Sequence, residues 1–373
     1  MTVPTSRKRI ALPANKPPRR ATATAIKEIL KLPPTARSKS PPSRLEPQLA
    51  TLVRQAPEGD QWLNEIKFDG YRMICRVERD QVRFSSRNHL DWTARLNRLA
   101  TAVECLGLEN TILDGEVVTV EPDGTTSFQS LQNAFREGRD NQLTYYVFDV
   151  LYLAGHDLRH LPLAERKRIL SKLLTGQNGP LRYSEHVVGQ APEFFRQACK
   201  RQLEGIVCKR ADQPYRPGRG TDWVKVKCAH REEFVIGGYT PPAGSRRGFG
   251  ALLVGYFNSH EQLVYAGRVG TGFSDRVLDE LSTRLAKLER QKSLFVDLQG
   301  VTGEARGVHW VAPKLVAQVE FSEWTRDGRL RHPAFLGLRE DKPARQVHRE
   351  RPVAVEDVKT RDTRPKKRAR KKP

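Results

Sequence analysis

The chain has 373 residues, of which 38% are hydrophobic and 29% charged, and a formal net charge of +22. That length holds two compact domains, and the composition predicts a soluble protein. No apolar run approaches the roughly 18–20 residues of a membrane helix, and no signal-type apolar stretch opens the chain. Neither a membrane role nor a secretory leader is therefore expected.

The charge is unevenly placed. Residues 1–44 carry eleven Lys and Arg against one acid, Glu28, and residues 351–373 carry ten against Glu356, Asp357 and Asp362. Both ends are Pro-rich and lack the apolar surface that offsets the entropy of ordering, so 1–44 and 347–373 are expected to be disordered tails. Basic arms release counterions from a polyanion, which predicts salt-sensitive DNA or RNA binding; a solubilising or localising tail is the plainer alternative. The five cysteines, Cys75, Cys105, Cys199, Cys208 and Cys228, form no Cys-x-x-Cys pair. This argues against a zinc site or a disulfide framework, fits a reducing cytoplasm, and leaves each cysteine as a small buried apolar residue.

Ordered patterning starts near Leu45. Trp62 to Phe68 reads as extended and ends on the turn signal Asp69-Gly70. Met73, Cys75 and Val77 alternate, and Val82 and Phe84 resume the alternation after a polar turn, which predicts a hairpin. Leu96, Leu99, Val103 and Leu106 recur at helical spacing. A strand follows over Thr111–Val120, a short helix over Phe128–Phe135, an apolar strand over Leu143–Leu153, and helices over Leu163–Leu174 and Glu193–Leu203. Strands at Gly205–Lys209 and Asp222–Cys228 close this part. The pattern is α+β with a mainly antiparallel sheet. Composition shifts after about Ala229. Strands at Phe234–Tyr239, Ala251–Phe257, Gln262–Val269 and Leu315–Trp324, with one helix over Asp275–Leu288, suit a second domain built as an OB-fold β-barrel.

The chemistry-bearing residues sit at strand ends and turns. Lys67 precedes Asp69-Gly70, which can hold its amine at a pocket mouth. To act as a nucleophile it must lose a proton, and the cations Arg72, Lys209, Lys225 and Lys227 are expected to help by disfavouring the charged form. Asp114-Gly-Glu116 puts acids inside a hydrophobic strand, where an uncompensated charge is costly. Glu204 and Lys209 flank a short apolar strand, an acid suited to Mg²⁺ and a base suited to phosphate. Lys225 and Lys227 share one strand face, which makes sense around a common anion. Phe148 offers a ring for a purine, although a core position is the commoner fate of such a residue. Arg87, in Ser86-Arg-Asn88, adds a guanidinium in a turn.

Taken in order, Lys67-Phe-Asp-Gly70, Ser86-Arg-Asn88, Leu113-Asp-Gly-Glu116, Tyr146-Val-Phe-Asp149, Glu204-Gly-Ile-Val-Cys-Lys209, Trp223-Val-Lys-Val-Lys227 and Gly337-Leu-Arg-Glu-Asp-Lys342 resemble the motifs of the nucleotidyltransferase superfamily. That superfamily holds ATP-dependent DNA ligases, RNA ligases and mRNA-capping enzymes. The resemblance covers roughly residues 45–345 and is nearest to the ligase module of bacterial non-homologous end joining, with His89 where that family usually has glycine. It implies an adenylation domain over 45–229 and an OB-fold domain over 230–346. It also implies ATP with Mg²⁺ or Mn²⁺, and a covalent lysyl-AMP on Lys67. By the same resemblance Glu65 reads the adenine edge and Phe148 stacks on its face. Arg72, Arg87 and Glu116 hold ribose and phosphate; Lys209, Lys225 and Lys227 neutralise phosphate; Glu204, with Glu116, holds the metal. Arg339, Asp341 and Lys342 reach over from the second domain to orient pyrophosphate. The implied partner is double-stranded DNA with nicks or ends, bound by a monomer in the bacterial cytoplasm, with a Ku-like end-binding protein as a further candidate. The tails are too short for the polymerase and nuclease modules of the large end-joining enzymes, so a stand-alone ligase is expected. An RNA ligase or capping-type enzyme, and a non-catalytic DNA-binding scaffold, are the alternatives.

Overall fold

The computed structural model describes residues 41–354, apart from 80, 178, 245, 297 and 299–306. The disorder expected of residues 1–40 and 355–373 lies outside the described residues. Among the described residues no helix is long and apolar enough to cross a membrane.

The N-terminal part contains two sheets. One has the strand order Gln48–Leu52, Gly218–Lys227, Gly205–Arg210, Trp62–Ile66, His186–Val188, antiparallel except for its first pair. The other runs Gln81–Ser86, Tyr71–Glu78, Thr111–Thr119, Leu143–Leu153, His156–Asp157, with Leu181–Tyr183 added in parallel to Leu143–Leu153. The alternation read at Met73, Cys75 and Val77 is the buried face of Tyr71–Glu78, and the hairpin pairs Val77 with Val82 and Cys75 with Phe84. That face packs on helices Asn97–Glu104, Phe128–Arg136 and Leu163–Leu173. Ser127 caps the second of these, its side chain accepting from Ser130 N at 3.2 Å. A smaller core of Ile74, Ile112, Phe148, Leu151, Tyr152, Tyr215 and Trp223 joins the two sheets, and the cleft described below opens beside it.

Glycines permit two close approaches. A Cβ on Gly205, at φ +149°, would lie 2.0 Å from Val226 O, and one on Gly70 would lie 2.2 Å from Val117 O. Glycine therefore follows Glu204 and Asp69 because neighbouring strand backbone fills the space a side chain needs.

The C-terminal part orders five strands as Leu263–Val269, Leu252–Phe257, His230–Tyr239, Val316–Phe321, Ala334–Leu338. A single bridge from Thr271 to Ala334 links the two edges, and helix Asp275–Ala286 lies between the third and fourth strands in chain order. This is the partly open Greek-key barrel of an OB-fold. The strand expected at Leu315–Trp324 is broken into Val316–Phe321 and Glu323–Trp324, and Ala334–Leu338 went unforeseen.

Three expectations are corrected. Residues 347–354 are not a free tail: Val347 is fully buried and Val353 bridges Val53, because apolar contacts and backbone pairing offset the ordering cost. Cys199 and Cys228 form a disulfide, their Cα atoms 5.2 Å apart where helix Ala191–Lys200 crosses the end of strand Gly218–Lys227; 29 residues of separation hid that proximity from a reading of spacings. Cys105 is exposed rather than buried.

Helix Leu163–Leu173 buries two cations. Arg166 and Asp149 are both wholly buried, joined through Arg166 Nε and Nη2 at 2.8 and 2.9 Å. Asp149→Ala leaves that guanidinium uncompensated in the interior and is expected to cost about 3–5 kcal/mol of stability in urea denaturation. A loss below about 1 kcal/mol would show that the pair does not hold the strand carrying Phe148.

Candidate active site

Lys67 directly follows strand Trp62–Ile66, and its backbone N donates to Gly205 O at 3.0 Å. This pairing sets Lys67 beside Glu204, and Nζ donates to Glu204 Oε2 at 2.5 Å. Glu204 is buried, while the lysine side chain is one-fifth exposed at the mouth of a cleft of about 240 Å³. Of the side chains singled out in the sequence, all but Asp114 line this one cleft, from Glu65 to Arg339, Asp341 and Lys342 on the barrel side.

The protonation of Lys67 runs against the sequence expectation. Burial pushes its pKa down, but the carboxylates of Glu204, Asp69 and Glu116 outweigh burial and raise it. With no anion in the cleft, the amine is thus held as an ammonium by acids, and the nearby cations do not win. The acids are stressed in turn. Burial and the charge of Glu204 push Asp69 up to about 6, against the pull of Lys67, Arg231 and Arg339. Burial, assisted by Glu204, pushes Glu116 up to about 8. Glu204 itself is held low, because Lys67 and Lys227 overcome its burial.

The floor is a second charged network. Glu65 accepts from Ser184 Oγ at 2.7 Å and lies 3.0 Å from both Lys167 and Lys209, which hold it ionised although burial opposes this. Lys209 Nζ also stands 4.1 Å from the centre of the Phe148 ring, and burial lowers its pKa to about 8. Phe148 is buried yet lines the cleft, with the Arg72 guanidinium 5.2 Å from its ring centre. Arg72 grips Asp114 through two bonds of 2.9 and 2.7 Å, and Tyr215 OH donates to the same carboxylate at 2.8 Å. Asp114 therefore orients Arg72, and Glu116 is the acid of that motif that lines the cleft.

On the facing strand Lys225 and Lys227 share a face as expected. Lys225 Nζ lies 2.7 Å from Glu350 and, chiefly through burial, falls to about 8; Lys227 Nζ donates to Arg231 O at 2.6 Å. From the barrel, Arg339 grips Asp341 at 2.9 and 2.8 Å, donates to Gly70 O at 3.2 Å, and lies over the Tyr71 and Phe128 rings. Lys342 bonds Glu233. Arg87 acts on that carboxylate at longer range, and with Lys342 and Arg339 it keeps Glu233 well below the usual range despite burial. Asn88 Nδ2 donates to Asp341 O at 2.5 Å, which ties the Ser-Arg-Asn turn to the second domain. His89 in that turn has φ +63°, a left-handed conformation that glycine adopts more cheaply. The departure from glycine thus strains the turn locally while Arg87 still reaches the cleft.

Sequence reasoning missed Arg219, Arg231, Glu233, Lys167 and Glu350. Glu233 carried a signal, an acid at the start of an apolar strand; Glu350 sits in a charged run and carried none. Among the described residues no three His, Cys, Asp or Glu side chains form a ready metal cage. Mg²⁺ does not require one, since it keeps waters and takes one or two carboxylates plus substrate phosphates. Glu116 and Glu204, with Glu116 pushed toward neutrality by burial and further by its acidic neighbour, are a donor set that a divalent cation would relieve.

The chain matches the family model described as ATP dependent DNA ligase domain over residues 47–227, and that described as ATP dependent DNA ligase C terminal region over 245–342. It is 44% identical over 315 residues to the multifunctional non-homologous end joining protein LigD of Pseudomonas aeruginosa, covering 84% of this chain and 37% of that protein. It is 38% identical over 309 residues to the multifunctional non-homologous end joining DNA repair protein LigD of Mycobacterium tuberculosis, covering 82% and 40%. A solved structure of mycobacterial DNA ligase D complexed with ATP and MES superposes with a TM-score of 0.62 at 37% identity, covering 82% of this chain and 98% of that one. The chain thus spans about two fifths of the length of these curated relatives.

The Lys67 environment has a measurable consequence. Reaction of Lys67 with an amine-selective reagent requires the free amine, so in the absence of nucleotide it rises only as pH passes the raised pKa. Glu204→Gln removes the strongest opposing charge, and the peptide-resolved reaction profile of Lys67 is expected to shift to lower pH. An unshifted profile would contradict the assigned pairing.

Proposed function

The chain belongs to the ATP-dependent DNA ligases, and on that premise we propose that it seals breaks in double-stranded DNA through AMP carried on Lys67. The observation that carries this reading is the Lys67–Glu204 contact of 2.5 Å in a cleft that Lys225 and Lys227 also line. A nucleophilic amine, its counter-acid and two phosphate-neutralising cations are thereby gathered in one place.

The first step needs the Lys67 amine free of its proton. The triphosphate of ATP brings negative charge against Lys225 and Lys227, and Glu204 is the base nearest the departing proton. The Lys67 nitrogen lone pair then attacks the α-phosphorus, the bond to the bridging oxygen breaks, and pyrophosphate leaves. A lysyl phosphoramidate of AMP remains. In the second step an oxygen of the DNA 5′-phosphate displaces Lys67 from phosphorus. In the third, the 3′-hydroxyl attacks that 5′-phosphate and AMP leaves. Each is an in-line transfer in which alignment and charge stabilisation supply most of the acceleration.

The remaining side chains take roles in keeping with their places. Glu65, fixed by Lys167, Lys209 and Ser184, accepts from the adenine amino edge, and Phe148 supplies the face beneath the ring. Arg72, oriented by Asp114, and Arg87 hold the ribose and phosphates beside Glu116; Lys209 adds positive charge at the base. Glu204 and Glu116 would hold Mg²⁺ or Mn²⁺, which when bound offsets the charge of the phosphates. Arg339, Asp341 and Lys342 close from the barrel and orient the leaving pyrophosphate. Because they touch the adenylation side only while the domains are together, the barrel must swing away before DNA reaches Lys67. We place the chain in non-homologous end joining as a cytoplasmic monomer, with a Ku-like end-binding protein as its partner at DNA ends; the similarity to the LigD proteins supports this setting.

Lys67→Ala, compared at a temperature where circular dichroism shows it folded, is expected to abolish transfer of α-phosphate label from ATP to the protein. Retained labelling would overturn the assignment. Asp341→Ala frees Arg339 and should slow self-adenylylation roughly a hundredfold, yet slow sealing of a pre-adenylylated nick far less. Equal losses in the two steps would remove the leaving-group role.

A further inference from the structure

Residues 347–354 leave the barrel and cross the lip of the cleft. Phe257 N donates to Val347 O at 2.8 Å, anchoring one end to the barrel. At the other end Val353 N donates to Leu52 O at 3.1 Å and Arg54 N to Val353 O at 3.2 Å, so the segment joins the outer edge of strand Gln48–Leu52. Between them the Arg349 guanidinium lies 3.8 Å over the Trp324 ring. Held at three points, the strap delivers Glu350 to two cations on strand Gly218–Lys227. Its carboxylate lies 2.7 Å from Lys225 Nζ through Oε2 and 3.1 Å from Arg219 Nη2 through Oε1. Lys225, Lys227 and Arg219 hold Glu350 down to about 2 although burial opposes this.

A carboxylate bridging an ammonium and a guanidinium at the edge of a nucleotide cleft has the geometry of an anion site filled from within the chain. Arg219 lines the same cleft and belongs to none of the seven motifs. We propose that Arg219 and Lys225 form a phosphate subsite at the cleft mouth, and that Glu350 occupies it until a phosphate displaces the strap. This deepens the ligase reading and rests on it. A phosphate offers more charge and a third oxygen, and the planar guanidinium fork suits it well. The same displacement frees the edge of Gln48–Leu52 from the barrel, so filling the subsite loosens one of the ties that keep the two domains closed. The phosphate is either one of the leaving phosphates of ATP or the 5′-phosphate at a DNA break.

The test uses the full chain with three variants. Glu350→Gln removes the competing charge, Val353→Pro removes the backbone donor that docks the strap without touching the carboxylate, and Arg219→Gln weakens the subsite. The readouts are KM and kcat for self-adenylylation with labelled ATP, and the preference of adenylylated protein for nicks bearing a 5′-phosphate over a 5′-hydroxyl. If the subsite serves ATP, Glu350→Gln and Val353→Pro lower KM for ATP about fivefold at unchanged kcat, and Arg219→Gln raises it. If it serves DNA, the first two variants sharpen the 5′-phosphate preference and the third erases it. A rise in KM in both strap variants, or no change in either readout, overturns the proposal. Absence of labelling in the wild-type chain contradicts the ligase reading instead. In that event calorimetric binding of inorganic pyrophosphate decides the subsite alone: tighter binding to Glu350→Gln supports it, and equal binding overturns it.

Discussion

An ammonium and a carboxylate 2.5 Å apart, at the meeting of two strands, set the terms for everything around them. Glu204 is almost wholly buried, and removal of its partner would leave a charge the interior cannot solvate. The surroundings are arranged to keep the two together. Lys67 N is tied to Gly205 O, Gly205 lets backbone approach where no side chain fits, and Gly70 does the same for the turn beyond. Asp69 and Glu116 are both pushed toward neutrality, chiefly by burial and further by the charge of Glu204. Such a site gains from a bound cation and from phosphates that draw off its lysines.

The second domain participates because the cleft is unfinished without it. Arg339 reaches Gly70 O, Asn88 holds Asp341, and Arg231 meets Asp69 at 3.3 Å, so each tie crosses from the barrel to a motif of the adenylation side. These ties are ion pairs and single hydrogen bonds, each of which opens at modest cost. The wholly buried Arg166–Asp149 pair, by contrast, lies deep in the adenylation side and fixes the strand that carries Phe148. Permanence and mobility are thus assigned to different interactions.

Much of this was legible in the sequence, because strand-end motifs carry chemistry at fixed spacing. Lys67, Glu204, Lys225 and Lys227 were found from residue type and alternation, and Met73, Cys75 and Val77 gave the buried face of their strand. What failed depended on distant partners. Lys67 was expected to be discharged by cations, yet the group nearest in space is an acid 137 positions away. Cys199 and Cys228 meet only because a helix crosses a strand end, and Arg166 and Lys167 are buried against carboxylates, Asp149 and Glu65, that strands bring to their helix. Residues 347–354 read as tail because their charge hides Val347 and Val353, two apolar residues that dock the segment.

The central claim is that Lys67 is the residue that carries AMP. Peptide mass mapping of the full chain after incubation with ATP and Mg²⁺, under conditions that preserve phosphoramidates, tests it most directly. The account predicts an acid-labile, AMP-sized adduct confined to the peptide containing Lys67, discharged by added pyrophosphate. An adduct on Lys209, Lys225 or Lys227, or none on any lysine, would contradict it.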